Sequence, residues 1–298
     1  MKSKPIKIVA IALLSIIGAA ILVVGGYVAY VAIQYYRIPD NIVLEVTSGR
    51  EETVRIGESY TLMSYNLGFG AYSPEYSFFM DEGVMKDGTK VVGKFAKGMN
   101  EADVEKNVAG QLKVAKDAAA DFYFFQEADE KADRSYGIDM TARARAELDG
   151  YGFVYAENFH TANLFYPFGD PIGKTNAGIL TASRYKIERA TRRSFPITTN
   201  FIDKLFDLDR CFAVHYLPIE GREEKLVLIN LHMSAYDEGG TIRAKQLEML
   251  NAVLSEERAA GNYVIAGGDF NHCLIADGSS RTRRHFRISR PNSSLPIG

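Results

Sequence analysis

Two cysteines in 298 residues, Cys211 and Cys273, are too few for a disulfide framework. They read as two isolated buried thiols. Basic charge is also scarce. The formal net charge is −2, and the five arginines after Asp277 leave −7 on the chain before it. No polybasic groove is apparent, which weighs against a protein that tracks nucleic acid. No internal repeat is found. At 47% hydrophobic and 24% charged residues, the composition is globular, with material for one large sandwich domain.

What is present begins with an apolar run. Lys2, Lys4 and Lys7 precede an uncharged stretch from Ile8 to Tyr36. The segment Ile8 to Ile33 exceeds the about 20 residues that cross a bilayer as helix and the apolar core of a signal peptide. Tyr27, Tyr30, Tyr35 and Tyr36 cluster at its far end like an interfacial belt. Residues 1–36 are therefore expected to be a single-pass anchor in the cell membrane, with a cleaved signal peptide as the alternative. The upstream lysines keep the amino terminus cytoplasmic, so the remainder is extracytoplasmic in either case. Residues 37–57, with Pro39 and Gly49, read as a polar linker.

The rest of the chain alternates strand and helix signals. Helices are expected at Asn100–Ala120, with Asn100 as N-cap, at Asp139–Leu148 and at Thr241–Glu257. Strands are expected at about 152–157, 177–183, 189–197 and 211–219. Gly68 to Gly98 is a long aromatic insertion, and loops of that length are often functional.

Four further strands finish in polar groups. Tyr263 to His272 reads YVIAGGDFNH: a β-branched run broken by two glycines, then Asp269 and Asn271 at a spacing that puts both on one side of an extended chain. SYTLMSYN ends in Asn66, FYFFQE in Gln126 and Glu127, and LVLINLH in Asn230 and His232. A carboxylate at a strand end can hold a hard cation or take a proton. Two carboxylates together repel unless a cation lies between them.

The series SYNLGFG, FFQEAD, NAGILTASRY, LVLINLHMS and GGDFN, in that order, resembles the endonuclease/exonuclease/phosphatase superfamily over about residues 58–277. The resemblance implies an α+β fold, a DNase-like four-layer α/β/β/α sandwich with the site at one end of its sheets, here preceded by one transmembrane helix. It implies hydrolysis of a phosphoester (phosphodiester) bond with Mg²⁺ or Mn²⁺. Glu127 is then the principal metal ligand, Asn66 a neutral amide ligand beside it, and Asp269 a ligand or the residue that handles the attacking water. Asn271 would orient phosphate or water, and His232 would donate to a phosphate oxygen. Candidate substrates are a phospholipid head group, nucleic acid or a small phosphoester, and no obligate protein partner is evident. Ser183-Arg184-Tyr185 is either a substrate contact or a plain strand end.

One expected element is missing. The family closes on an Asp-His pair whose histidine activates water, and this chain has no Asp-His dipeptide. Residues 278–298 read as an irregular, arginine-rich tail, as if the sandwich were incomplete at its C-terminal end. The expectation is impaired turnover, or, in the alternative, a non-catalytic surface protein that retains the fold and the metal site.

Overall fold

The computed structural model describes residues 3–47, 49–85, 87–197, 209–235, 238–272 and 285–287. Helix α1 (Ser3–Gln34) covers the apolar run and is followed by the short strands β1 (Ile42–Leu44) and β2 (Val46–Thr47). Then come β3 (Ser59–Asn66), a small hairpin of β4 (Glu82–Val84) and β5 (Lys90–Val92), helix α2 (Glu101–Ala118) and β6 (Phe122–Asp129). Helix α3 (Met140–Glu147) leads to β7 (Gly152–His160), β8 (Asn176–Ser183), β9 (Arg189–Ser194), β10 (Cys211–Pro218) and β11 (Lys225–His232). Helix α4 (Thr241–Ala259), β12 (Tyr263–Asp269) and β13 (His285–Arg287) complete the series. The N-cap expected for α2 is present: Asn100 Oδ1 accepts the Asp103 N–H at 2.9 Å.

The strands form two principal sheets. One runs β1-β9-β10-β11-β12 and the other β13-β3-β6-β8-β7-β2. Alternation along the strands decides which side chain goes where. On β6, Phe122 and Phe124 enter the layer between the sheets, packing with Leu226 and Leu228 of β11. Tyr123 and Phe125 point the other way, under Val104, Val108 and Leu112 of α2. On β11, Val227, Ile229 and Leu231 likewise meet Leu250 and Val253 of α4. Helices on the outer faces of two packed sheets give the four-layer α/β/β/α sandwich.

Two expectations on boundaries are corrected. The stretch taken as a linker supplies an edge strand to each sheet: β1 pairs with β9, and β2 with β7. Its apolar side chains Leu44 and Val46 pack on the inter-sheet core, which is why this stretch does not stay a tether. The tail read as irregular contains β13, which pairs with β3 from Ser59 to Thr61. An open sheet edge offers unpaired N–H and C=O groups that a strand satisfies. The rest of the tail, and Cys273, lie outside the described residues. Cys211 is a buried free thiol, as expected.

His215 of β10 is fully buried, with Nδ1 2.9 Å from the Leu228 carbonyl. Burial pulls its pKa from the ordinary 6.5 down to about 4. The unfolded chain therefore takes up a proton between these values and the folded chain does not. Stability is full above pH 6.5 and falls as pH drops towards 4, by about 3 kcal/mol from this residue. Urea unfolding of the detergent-solubilised chain should show that slope, and His215→Leu should flatten it.

Candidate active site

The alternation that fills the core also delivers the polar residues. Asn66 continues the inter-sheet side of β3 after Tyr60 and Leu62. His232 continues the inter-sheet side of β11 after Leu226 and Leu228, and Asp269 that of β12 after Tyr263 and Ile265. Parallel pairing sets the levels. Asn66 lies opposite Gln126 across β3 and β6, and His232 opposite Asp269 across β11 and β12. Just beneath, Gln126 Nε2 donates to Asn230 Oδ1 at 2.8 Å, joining the two sheets through a buried amide pair. Asn230 thus acts as the strand-end hydrogen-bonder, with Nδ2 also on the Leu180 carbonyl at 3.2 Å.

Glu127 does not follow the alternation. By parity with Tyr123 and Phe125 it belongs under α2. Instead the register of β6 against β8 slips between Phe125 and Ala128, and Glu127 adopts a left-handed backbone with φ of 53°. A bulge of this kind re-aims one side chain. Here it brings the carboxylate to the end of the sandwich, where Oε1 accepts Asn66 Nδ2 at 2.9 Å. The same amide nitrogen donates to Asp269 Oδ2 at 2.8 Å. Glu127, His232 and Asp269 each offer a ligand atom, and these atoms lie within 4.8 Å of one another.

The geometry gives Asn66 and Asn271 a bracing part beside their expected roles. Asn66 presents its nitrogen to the carboxylates, because its oxygen accepts the Gly68 N–H at 2.8 Å. In this arrangement it braces the acid pair, and its oxygen keeps a second lone pair for a cation. Asn271 lies beyond β12 with φ of 47°, so the extended spacing assumed for Asp269 and Asn271 does not apply. Its N–H donates to Asp269 Oδ1 and its Nδ2 to the Met233 carbonyl, both at 2.8 Å. It fixes the Asp269 carboxylate while lining the cavity. Ser183 pairs with Phe122 at the start of β6, whereas Glu127 is near its end, so Ser183-Arg184-Tyr185 is a strand terminus remote from the acids.

The cavity above these residues has aromatic walls from Phe69, Tyr72, Phe78 and Phe159, and two arginines. Tyr72 and Phe78 belong to the glycine-rich insertion, which thus shapes the pocket as well as packing on itself. Arg134 is buried, gripped by Asp129 through Nε at 3.0 Å and Nη2 at 2.7 Å, and lies 4.1 Å over the Phe69 ring. Burial works against its charge, but Asp129 and Glu127 outweigh it and raise its pKa. Arg210 is buried at the same wall. Neither arginine is evident from sequence. Arg134 sits in an ordinary polar turn, and Arg210 one residue before a strand; the only hint is the acid Asp129 buried at the end of an aromatic strand.

Burial, Arg134, Asn66 and Arg210 set the electrostatics of Glu127. Burial raises its pKa, the cations and the Asn66 bond oppose this, and Asp269 adds to the rise. Burial pushes the His232 pKa well below 6.5, and Arg210 and Arg134 push it further, so the ring is neutral. Its Nε2 lies 3.8 Å from Asp269 Oδ2, too far for a hydrogen bond. His232 is the histidine lining this cavity among the described residues. His160 stays structural, its ring 4.7 Å from that of Tyr36.

The model of the Endonuclease/Exonuclease/phosphatase family matches residues 63–295. No curated protein matches the chain. Among solved structures, ANGEL2, a 2′,3′-cyclic phosphatase, aligns with a TM-score of 0.48 at 17% identity, over 78% of this chain and 57% of its own. Truncated Caenorhabditis elegans TDP2 gives a TM-score of 0.44 at 18% identity, over 76% and 67%. An endonuclease/exonuclease/phosphatase from Beutenbergia cavernae gives 0.40 at 18%, over 66% and 44%. The chain therefore spans under three fifths of the length of ANGEL2.

Proposed function

Because the chain belongs to the endonuclease/exonuclease/phosphatase family, we propose that it hydrolyses a phosphodiester with Mg²⁺ or Mn²⁺ held at Glu127 and Asp269. The family supports phosphoester hydrolysis in general; the metal, the residues and the substrate are our reading. The observation that carries it is the convergence of Glu127, His232 and Asp269 within 4.8 Å. The donor set fits a hard cation: two carboxylates, with room left for water and phosphate oxygens. Burial and Asp269 both disfavour an ionised Glu127, and a cation removes that penalty. When bound, it would neutralise charge on the phosphoryl oxygens and stabilise the leaving oxygen.

The chain's own groups do the rest. Arg134, held rigid by Asp129, offers fixed positive charge to a phosphate in the cavity. Neutral His232 donates from Nε2 to a phosphate oxygen, a bond that strengthens as negative charge builds there. Asn66 and Asn271 hold the two carboxylates in place. The aromatic walls exclude water around the reacting group. The helix α1 is read as the membrane anchor: residues 7–34 have the length and hydropathy of a span, and none of its most apolar window is buried. The two-sheet domain that follows α1 is then an extracytoplasmic catalytic domain.

The alternative reading is a non-catalytic surface protein that retains the fold and the metal site. One experiment separates the two. The purified chain is titrated with Mg²⁺ calorimetrically and assayed on bis(p-nitrophenyl) phosphate, with and without chelator. We expect heat of binding and slow turnover that the chelator removes. Heat without turnover selects the non-catalytic reading, and neither heat nor turnover sinks both.

A further inference from the structure

One loop joins the anchor to the cavity. Hydrogen bonds fasten the loop after β7 to the end of α1. Tyr27 Oη donates to the Asn163 carbonyl at 3.3 Å and accepts the Phe165 N–H at 3.0 Å. Tyr30 Oη lies 3.4 Å from the Asn163 N–H, which donates to it, and the rings of Tyr27 and Phe165 are 5.4 Å apart. The depth of this attachment follows from helix geometry. The last charge before the apolar run is Lys7. At 1.5 Å per residue, about 20 residues from Ile8 cross a core of about 30 Å and arrive at Tyr27. Tyr27 and Tyr30 then mark the far interface, and the loop bonded to them lies at that level.

The loop's side chains are unusual for a water-facing surface. Phe165 is 54% exposed, Tyr166 49% and Phe168 91%. Phe165 and Phe168, with the half-exposed Tyr166 between them, form an exposed apolar patch. The patch adjoins α1 through the ring contact of Phe165 with Tyr27. Its occupant is therefore the interfacial layer of the bilayer, where aromatic rings are favoured. Electrostatic attraction does not supply the contact, since the chain up to Asp277 carries −7.

The same loop builds the pocket. The Tyr166 carbonyl accepts the N–H of Ile172 at 3.1 Å, and Ile172 lines the cavity. The Tyr166 ring lies 5.8 Å from that of Phe79, next to Phe78 of the cavity wall. Building on the membrane-anchored phosphoesterase reading above, we infer that Phe165, Tyr166 and Phe168 seat the cavity mouth on the bilayer, so that the substrate is a phosphodiester in the lipid head-group layer.

The chain has no tryptophan, so Phe168→Trp introduces a single reporter at a position whose exposure spares the fold. The full-length variant is reconstituted in phosphatidylcholine vesicles, with and without brominated acyl chains. Blue-shifted emission quenched by the brominated lipid is expected. Water-like, unquenched emission overturns the membrane contact, whatever the enzyme does in solution. In parallel, the double variant Phe165→Ser, Phe168→Ser should lose at least about tenfold in hydrolysis of vesicle phospholipid. Its rate on bis(p-nitrophenyl) phosphate should stay unchanged. Undiminished lipid hydrolysis, or an equal loss on both substrates, overturns the assignment of substrate. If the native chain hydrolyses neither, the phosphoesterase reading and the substrate assignment fail, and the fluorescence result alone judges the contact.

Discussion

Glu127→Gln is expected to lower phosphodiester hydrolysis by at least about 10²-fold and to remove the heat of Mg²⁺ binding, without lowering stability. The two halves have one cause. The Glu127 carboxylate is partly buried beside Asp269, and burial and that neighbour both disfavour its charge. Asn66 Nδ2 bonds both acids, and Arg134 and Arg210 oppose the penalty from one side. The amide in the variant has the same shape and no charge. It relieves the repulsion, so the melting temperature should hold or rise, the usual relation between a strained functional group and its neutral replacement. A cation bound at the proposed site would, however, lose one of its two anionic ligands, and the phosphate would lose the charge neutralisation that depends on it. Calorimetric titration and thermal melting on the same preparation check both. A variant that still gives native Mg²⁺ heat would remove Glu127 from the metal site; a variant that melts far lower would make it a structural residue.

The strands were legible because their side chains serve two different surfaces. Phe122, Phe124, Leu226 and Leu228 face the inter-sheet layer, Tyr123 and Phe125 face α2, Val227 and Ile229 face α4, and all three surroundings are apolar. Runs of this kind stand out from their polar surroundings without needing alternation. Asn66, His232 and Asp269 were legible for the same reason: each is the polar residue that ends the inter-sheet side of an apolar strand. What escaped the sequence depends on backbone conformation or on long-range contact. The bulge at Glu127 leaves no glycine as a marker, since a glutamate itself takes φ of 53°. Asn66's choice of donor over acceptor is decided by the Gly68 N–H. Arg134 becomes part of the pocket only because Asp129 is buried at its back. The edge strands β1 and β2 are too short to declare themselves and exist because β9 and β7 offer them an edge.

Gly268→Ala should be far more damaging than Gly267→Ala, although the two glycines adjoin. A Cβ on Gly267 would point into the inter-sheet layer, 3.3 Å from Phe124 Cδ2 and 3.9 Å from Leu62 Cδ2. Those are side chains, and a shift of a few tenths of an ångström accommodates a methyl, at a cost of about 1 kcal/mol. A Cβ on Gly268 would stand 2.1 Å from the Leu231 carbonyl oxygen and 2.8 Å from its nitrogen, with φ already at 135°. This is the backbone of β11, the strand that carries His232. The φ value is strained for any residue with a side chain, and the clash cannot be relieved without separating β11 from β12. Their register places His232 opposite Asp269, so separation moves a proposed ligand away from its partners. We expect Gly268→Ala to lose about 3 kcal/mol or more of stability and at least about 10²-fold in kcat/KM. Gly267→Ala should keep activity within about tenfold. Urea unfolding and steady-state kinetics on the two variants measure both effects. If Gly268→Ala folds and turns over like the native chain, the close approach of the two strands is not what holds Asp269 at the site.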